Sequence, residues 1–135
     1  MAEKLNTIDF DYLIGPEVKV VPLLYALSED LHKDHFIVCR KSIKGYMTTP
    51  LVFKTMHKSK LMMLVLDGKD AGLLKNKKVI IVDDVVSSGN TVKNLKVLIA
   101  RAGAQVVTVA AIFRQSQLFT DNLIYLKELP VFTQI

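Results

Sequence analysis

Short apolar runs that alternate with helical repeats along most of the chain predict an α/β fold, with a mainly parallel central sheet flanked by helices. Three features carry that expectation. Val79-Ile80-Ile81-Val82 is a β-branched run without a polar residue, as in a parallel strand buried on both faces. Val92, Leu95, Leu98, Ile99 and Ala102 then recur at helical spacing, and residues 106–113 return as a second apolar run. Together they read as a strand-helix-strand unit, whose ligand site belongs outside the carboxyl ends of the strands.

The other elements follow in order. Tyr12-Leu13-Ile14 reads as a strand that ends at Gly15-Pro16, and Val20, Leu24, Leu27 and Leu31 share one face of a helix after it. Phe36-Ile37-Val38-Cys39 is a second strand, and residues 61–66 are another that stops at Asp67-Gly68, with a polar stretch between them. Gly103 is placed to end the long helix as its C′ residue. No repeat, low-complexity stretch or linker interrupts the chain, so residues 1–135 are expected to form a single domain.

Half of the 135 residues are apolar, enough for a substantial core, and no run approaches the ~20 apolar residues that span a bilayer. The first residues lack a signal-peptide pattern and the lone Cys39 has no internal disulfide partner, which together lead to the expectation of a cytoplasmic protein without a membrane partner. Eighteen Lys and Arg against thirteen Asp and Glu give a formal charge of +5, suited to a phosphorylated ligand or another polyanion. The cations are scattered, with no long basic run and no separate helix-turn-helix segment, so nucleic acid is not the expected partner.

Chemistry concentrates at the end of the buried run. Asp83 and Asp84 are followed by Val85-Val86 and by Ser87, Ser88, Gly89, Asn90 and Thr91 at the head of a helix. Small residues there aim N–H groups and hydroxyls at one phosphate, and the helix dipole adds partial positive charge. Gly89 allows close backbone approach, and Asn90 is among the few other residues that tolerate a positive φ. The two carboxylates repel phosphate and suit hydroxyls or a divalent cation instead, so a ligand with a phosphate at one end and a diol at the other satisfies both groups. The chain has neither Gly-x-x-x-x-Gly-Lys-Ser/Thr nor Gly-x-Gly-x-x-Gly after a strand, which argues against a triphosphate P-loop and a dinucleotide fingerprint.

The segment Val-Ile-Ile-Val-Asp-Asp-Val-Val-Ser-Ser-Gly-Asn-Thr resembles the phosphoribosyl-pyrophosphate (PRPP) motif of the type I phosphoribosyltransferases. Three further segments are similar to the adenine and xanthine branch: Ile14-Gly15-Pro16-Glu17-Val18-Lys19 to its pyrophosphate loop, Arg40-Lys41-Ser42-Ile43-Lys44 to its Arg-Lys-x-x-Lys segment, and Leu129-Pro130-Val131-Phe132 to its C-terminal strand. The resemblance implies a type I fold, in which about a dozen residues before the first core strand leave little or no hood over the base, and transfer of ribose 5-phosphate from PRPP to a free purine base, adenine ahead of xanthine, hypoxanthine or guanine, with release of pyrophosphate. It implies Asp83 and Asp84 as the catalytic pair, reaching Mg²⁺ indirectly through water or PRPP. Ser87, Ser88, Gly89, Asn90 and Thr91 would hold the 5-phosphate, while Glu17, Val18, Lys19, Arg40, Lys41 and Lys44 would hold pyrophosphate. A homodimer is expected, and a noncatalytic PRPP-binding regulatory module is the alternative. Val20 and Asn90 stand where many members have Gly, and residues 48–60 do not match the Tyr and Glu pattern of the adenine enzymes' mobile loop. Phe113 and Phe119 could stack on a purine, but a buried aromatic at a strand end is the expected reading of each.

Overall fold

The computed structural model describes residues 1–130. Its centre is a five-stranded, wholly parallel sheet in the order β2-β1-β5-β6-β7, formed by Phe36–Cys39, Tyr12–Pro16, Lys78–Val86, Gln105–Arg114 and Leu123–Glu128. Parallel pairing needs crossovers, and the chain supplies α2 (Val21–Asp30) and α4 (Asn90–Arg101) for them. Two short helices, α1 (Ala2–Leu5) and α3 (Gly68–Leu74), were not marked by periodicity because each spans two turns or fewer.

Each face of the sheet has its own core. Leu24 and Leu27 of α2 pack with Leu13, Ile80 and Val82 on one face. On the other, Val92, Leu95, Leu98 and Ile99 of α4 pack with Ile14, Ile81 and Val109. The helical faces read from the sequence are the buried ones except for Leu31, which follows α2 and is only partly buried, and Gly103 takes the left-handed conformation expected of a C′ residue, at φ 81°. Leu5 and Phe10 are buried beside α2, so the segment before β1 completes the core and does not arch over the carboxyl ends of the strands.

Three local expectations need correction. The polar stretch before residue 61 contains a strand: β3 (Leu51–His57) pairs antiparallel with β4 (Lys60–Leu66) as a separate two-stranded hairpin. Its turn uses Lys58 and Ser59 at φ 49° and 61°, with no Gly or Asn to announce it. The last strand among the described residues is Leu123–Glu128, and Leu129 and Pro130 follow it; the Val131 and Phe132 assigned to a C-terminal strand lie outside the described residues. Asp83 and Asp84 do not end their strand, which continues through them to Val86 because β6 runs on alongside to Arg114.

Candidate active site

The site forms where the carboxyl ends of β1, β2, β5 and β6 meet the hairpin. A cleft of about 700 Å³ opens there. Pro16, Glu17, Val18 and Lys19 form one side with Lys41; Asp83, Asp84 and Val85 form the floor; Thr91 and Asn94 come from α4. The opposing wall is the hairpin, through Phe53 and residues 60–64. Gly15 lets this arrangement close up, since a Cβ there would lie 2.5 Å from the Val82 carbonyl oxygen of the neighbouring strand.

The two acids are half-buried at the floor. Each carboxylate accepts the N–H of the residue after it: Asp84 N to Asp83 Oδ1 at 2.8 Å and Val85 N to Asp84 Oδ1 at 2.9 Å. Burial, helped by the adjacent Asp84 carboxyl, pushes Asp83 up to about 7, although the Asp84 N–H and the Lys41 charge pull the other way. A carboxyl so placed gains when a cation or a hydroxyl donor enters the cleft.

The turn after β5 is built around Gly89. It is the N-cap of α4 at φ 83°, and Asn90, expected to tolerate a positive φ, is instead the first helical residue. A Cβ on Gly89 would collide with the ring of Phe119, which is buried beneath the turn. Phe119 is therefore core and unavailable to stack on a base. Among the described residues the N–H groups of Ser87, Ser88 and Gly89 have no acceptor, as an anion-binding turn requires, while Asn90 N–H is 3.3 Å from Ser88 Oγ. Of the five residues in this turn, Thr91 lines the cleft itself and the other four lie just outside its lining.

On the opposite side, Glu17 accepts hydrogen bonds from Arg40 Nη1 at 3.0 Å and from Lys41 N–H at 2.7 Å. Burial raises the Glu17 carboxyl, yet the Lys41 N–H and the Arg40 and Lys44 charges outweigh it and hold the group below its usual value. Arg40 and Lys44 lie outside the cleft lining, whereas Lys19 and Lys41 are part of it. The Glu17–Val18 peptide is cis. Cys39, directly before Arg40, is fully buried and its thiol is pushed up to about 12 by that burial with a contribution from Asp70, so it is no nucleophile.

Sequence reasoning missed Phe53, Lys60, Asn94, Gln115 and Leu129 as lining residues. Asn94 was open to recognition, one helical turn after Thr91 on the same face. The others come from the unforeseen hairpin and from strand ends whose register only the fold sets.

The chain matches the family described as "Phosphoribosyl transferase domain" over residues 1–130, and it belongs to that family. Within it, the chain falls in the adenine phosphoribosyltransferase branch of the type I enzymes. It is 35% identical over 119 residues to the adenine phosphoribosyltransferase of Thermosipho africanus (strain TCF52B), covering 87% of this chain and 67% of that one. With that of Fervidobacterium nodosum (strain ATCC 35602 / DSM 5306 / Rt17-B1) the identity is 34%, covering 100% of this chain and 76% of the relative. The crystal structure of adenine phosphoribosyltransferase from Thermoanaerobacter pseudethanolicus superposes with a TM-score of 0.81 at 21% identity, over 95% of this chain and 75% of that one, and shows the shared fold.

Proposed function

We propose that this chain is a purine phosphoribosyltransferase, transferring ribose 5-phosphate from PRPP to a free base, adenine first, and releasing pyrophosphate. The observation that carries the reading is the union in one cleft of the Asp83/Asp84 pair, Thr91 at the head of α4, and the cations Lys19 and Lys41. As a base nitrogen attacks the anomeric carbon and the C–O bond to pyrophosphate breaks, positive charge grows on the ribose and negative charge on the leaving group. Asp83 and Asp84 sit to stabilise the first and to hold the ribose hydroxyls; Lys19, Lys41 and the backbone of residues 18 and 19 receive the second. Ser87, Ser88, Gly89, Asn90 and Thr91 hold the 5-phosphate. Phe53, Leu64 and Leu129 offer apolar surface to a planar base.

Among the described residues no group of three or more His, Cys, Asp or Glu side chains is placed to hold a metal ion. Two carboxylates fit a Mg²⁺ held mainly by PRPP oxygens and touched indirectly by Asp83 and Asp84. When bound, the ion neutralises the departing pyrophosphate.

A screen of free bases with PRPP and Mg²⁺, reading pyrophosphate, is expected to show adenine consumed with equimolar release. PRPP binding without loss of any base would overturn the enzyme reading.

A homodimer in the cytoplasm, with no nucleic-acid partner, completes this proposal. Val18, Tyr25, Ile43 and Tyr46 are large apolar side chains left 57–68% exposed, surface that a subunit contact would cover. Light scattering at micromolar concentration should give twice the chain mass; a monomer would refute the dimer.

A further inference from the structure

Glu17 lies in the loop that faces the leaving group, yet it is an acid, and an acid repels pyrophosphate. Its carboxylate is also fully engaged. One oxygen meets Arg40 Nη1 at 3.0 Å and the other meets the Lys41 N–H at 2.7 Å, while the Glu17 N–H donates to the Cys39 carbonyl at 2.8 Å. The side chain is 15% exposed, less than half the 34% of Arg40.

Arg40 reaches in three directions. Its guanidinium holds Glu17, and its Nε donates to the Tyr46 hydroxyl at 3.2 Å. Its backbone N–H and carbonyl pair with Val65 of β4 at 2.9 and 2.8 Å, the bridge that joins the exit of β2 to the hairpin. One residue pair thus ties together the leaving-group loop, the strand exit that carries Lys41, and the hairpin that forms the far wall of the cleft. An arginine already matched to a carboxylate has little net charge left for a polyanion. Lys19 and Lys41 line the cleft and form no ion pair among the described residues.

We propose that Glu17 and Arg40 are one positioning clamp and touch no substrate: together they set the loop 17–19 and Lys41 against the hairpin, leaving Lys19 and Lys41 as the cations that meet pyrophosphate. The proposal rests on the phosphoribosyl-transfer reading above, and it moves Glu17 and Arg40 out of the ligand-contacting set.

A double-mutant cycle tests it with wild type, Glu17→Ala, Arg40→Met and the double variant. Inorganic pyrophosphate with Mg²⁺ is titrated by calorimetry, kcat and the KM for PRPP are measured, and exchange of the Lys41 amide is followed in the ligand-free protein. Each single change should weaken pyrophosphate binding and raise KM on the order of tenfold, with a smaller change in kcat, because the loop is misplaced and no reacting group is lost. The double variant should be no worse than the poorer single one. The Lys41 amide should exchange faster in all three, and Glu17→Gln, which keeps an acceptor for that N–H, should fall between wild type and Glu17→Ala. Additive losses would show that Arg40 meets the ligand directly, and unchanged Lys41 exchange in Glu17→Ala would show that no clamp exists; either result overturns the proposal. If the wild type neither consumes base nor binds pyrophosphate, the functional reading falls, while the Lys41 exchange still decides the clamp.

Discussion

Asp83→Asn combined with Asp84→Asn should lower kcat/KM by roughly a thousandfold or more, with the circular dichroism spectrum of the fold retained. Both side chains accept only local N–H bonds, which an Asn oxygen also accepts, and both face the cleft, so the backbone has little reason to move. What disappears is negative charge beneath a carbon that becomes positive. Wild-type turnover in the double variant would remove these residues from the chemistry. The single change Asp83→Asn carries a second expectation. Burial holds the folded-state carboxyl at about 7 against an ordinary value of 3.8, so between those values the folded protein keeps a proton that the unfolded chain has released. That contribution to stability is full below pH 4 and is lost as the pH rises through 7. Asp83→Asn removes the loss, so the variant's Tm should exceed that of the wild type at pH 8 and approach it at pH 4. Parallel Tm curves across that range would contradict the buried, desolvated state of Asp83.

Gly89→Ala should be the most damaging single change in the phosphate-binding turn. Position 89 has φ 83°, and its missing Cβ is the space that the Phe119 ring occupies. Left-handed strain and overpacking together should cost roughly 2–4 kcal/mol, seen as a lowered urea midpoint at unchanged m. Affinity for ribose 5-phosphate should fall on the order of a hundredfold as the N–H groups of residues 87–89 swing away. Adding Phe119→Leu should recover part of the stability and little of the affinity, since it relieves the collision but leaves the φ constraint. Full recovery of binding in that double variant would mean that the turn needs space and not a particular backbone conformation.

Much of this is legible in the sequence. The runs at residues 12–14, 36–39 and 79–82 are dense in β-branched or apolar residues, and α4 repeats its buried residues at helical spacing, so short-range pattern was enough to locate these elements though not all of their ends. The Asp83 to Thr91 segment carries its chemistry within nine successive residues and needed no tertiary information. The hairpin was invisible for a physical reason. Lys54, Met56, His57, Leu61 and Met62 are all exposed, so its outer half has no buried face to write into the sequence, and its turn takes positive φ at Lys58 and Ser59. The role of Glu17 was equally hidden, because its partners lie more than twenty residues away, at the exit of another strand. The mistaken end of β5 has a similar origin: polar residues normally close a strand, but β6 carries enough length to keep pairing beside Asp83.

The strand order also bears on how the chain becomes a protein. β1 is made well before its inner neighbour β5, which begins only at Lys78, so Tyr12 waits for Val79 while two helices, a strand and the hairpin are synthesised. Closing so large a loop has an entropic cost that local contacts do not offset, so the central pairing forms late and the sheet folds slowly for its size. Until then one edge of β1 has unpaired N–H and carbonyl groups, open to another nascent chain. Fragments that stop before β5 should therefore aggregate, whatever the solubility of the chain that carries all five strands.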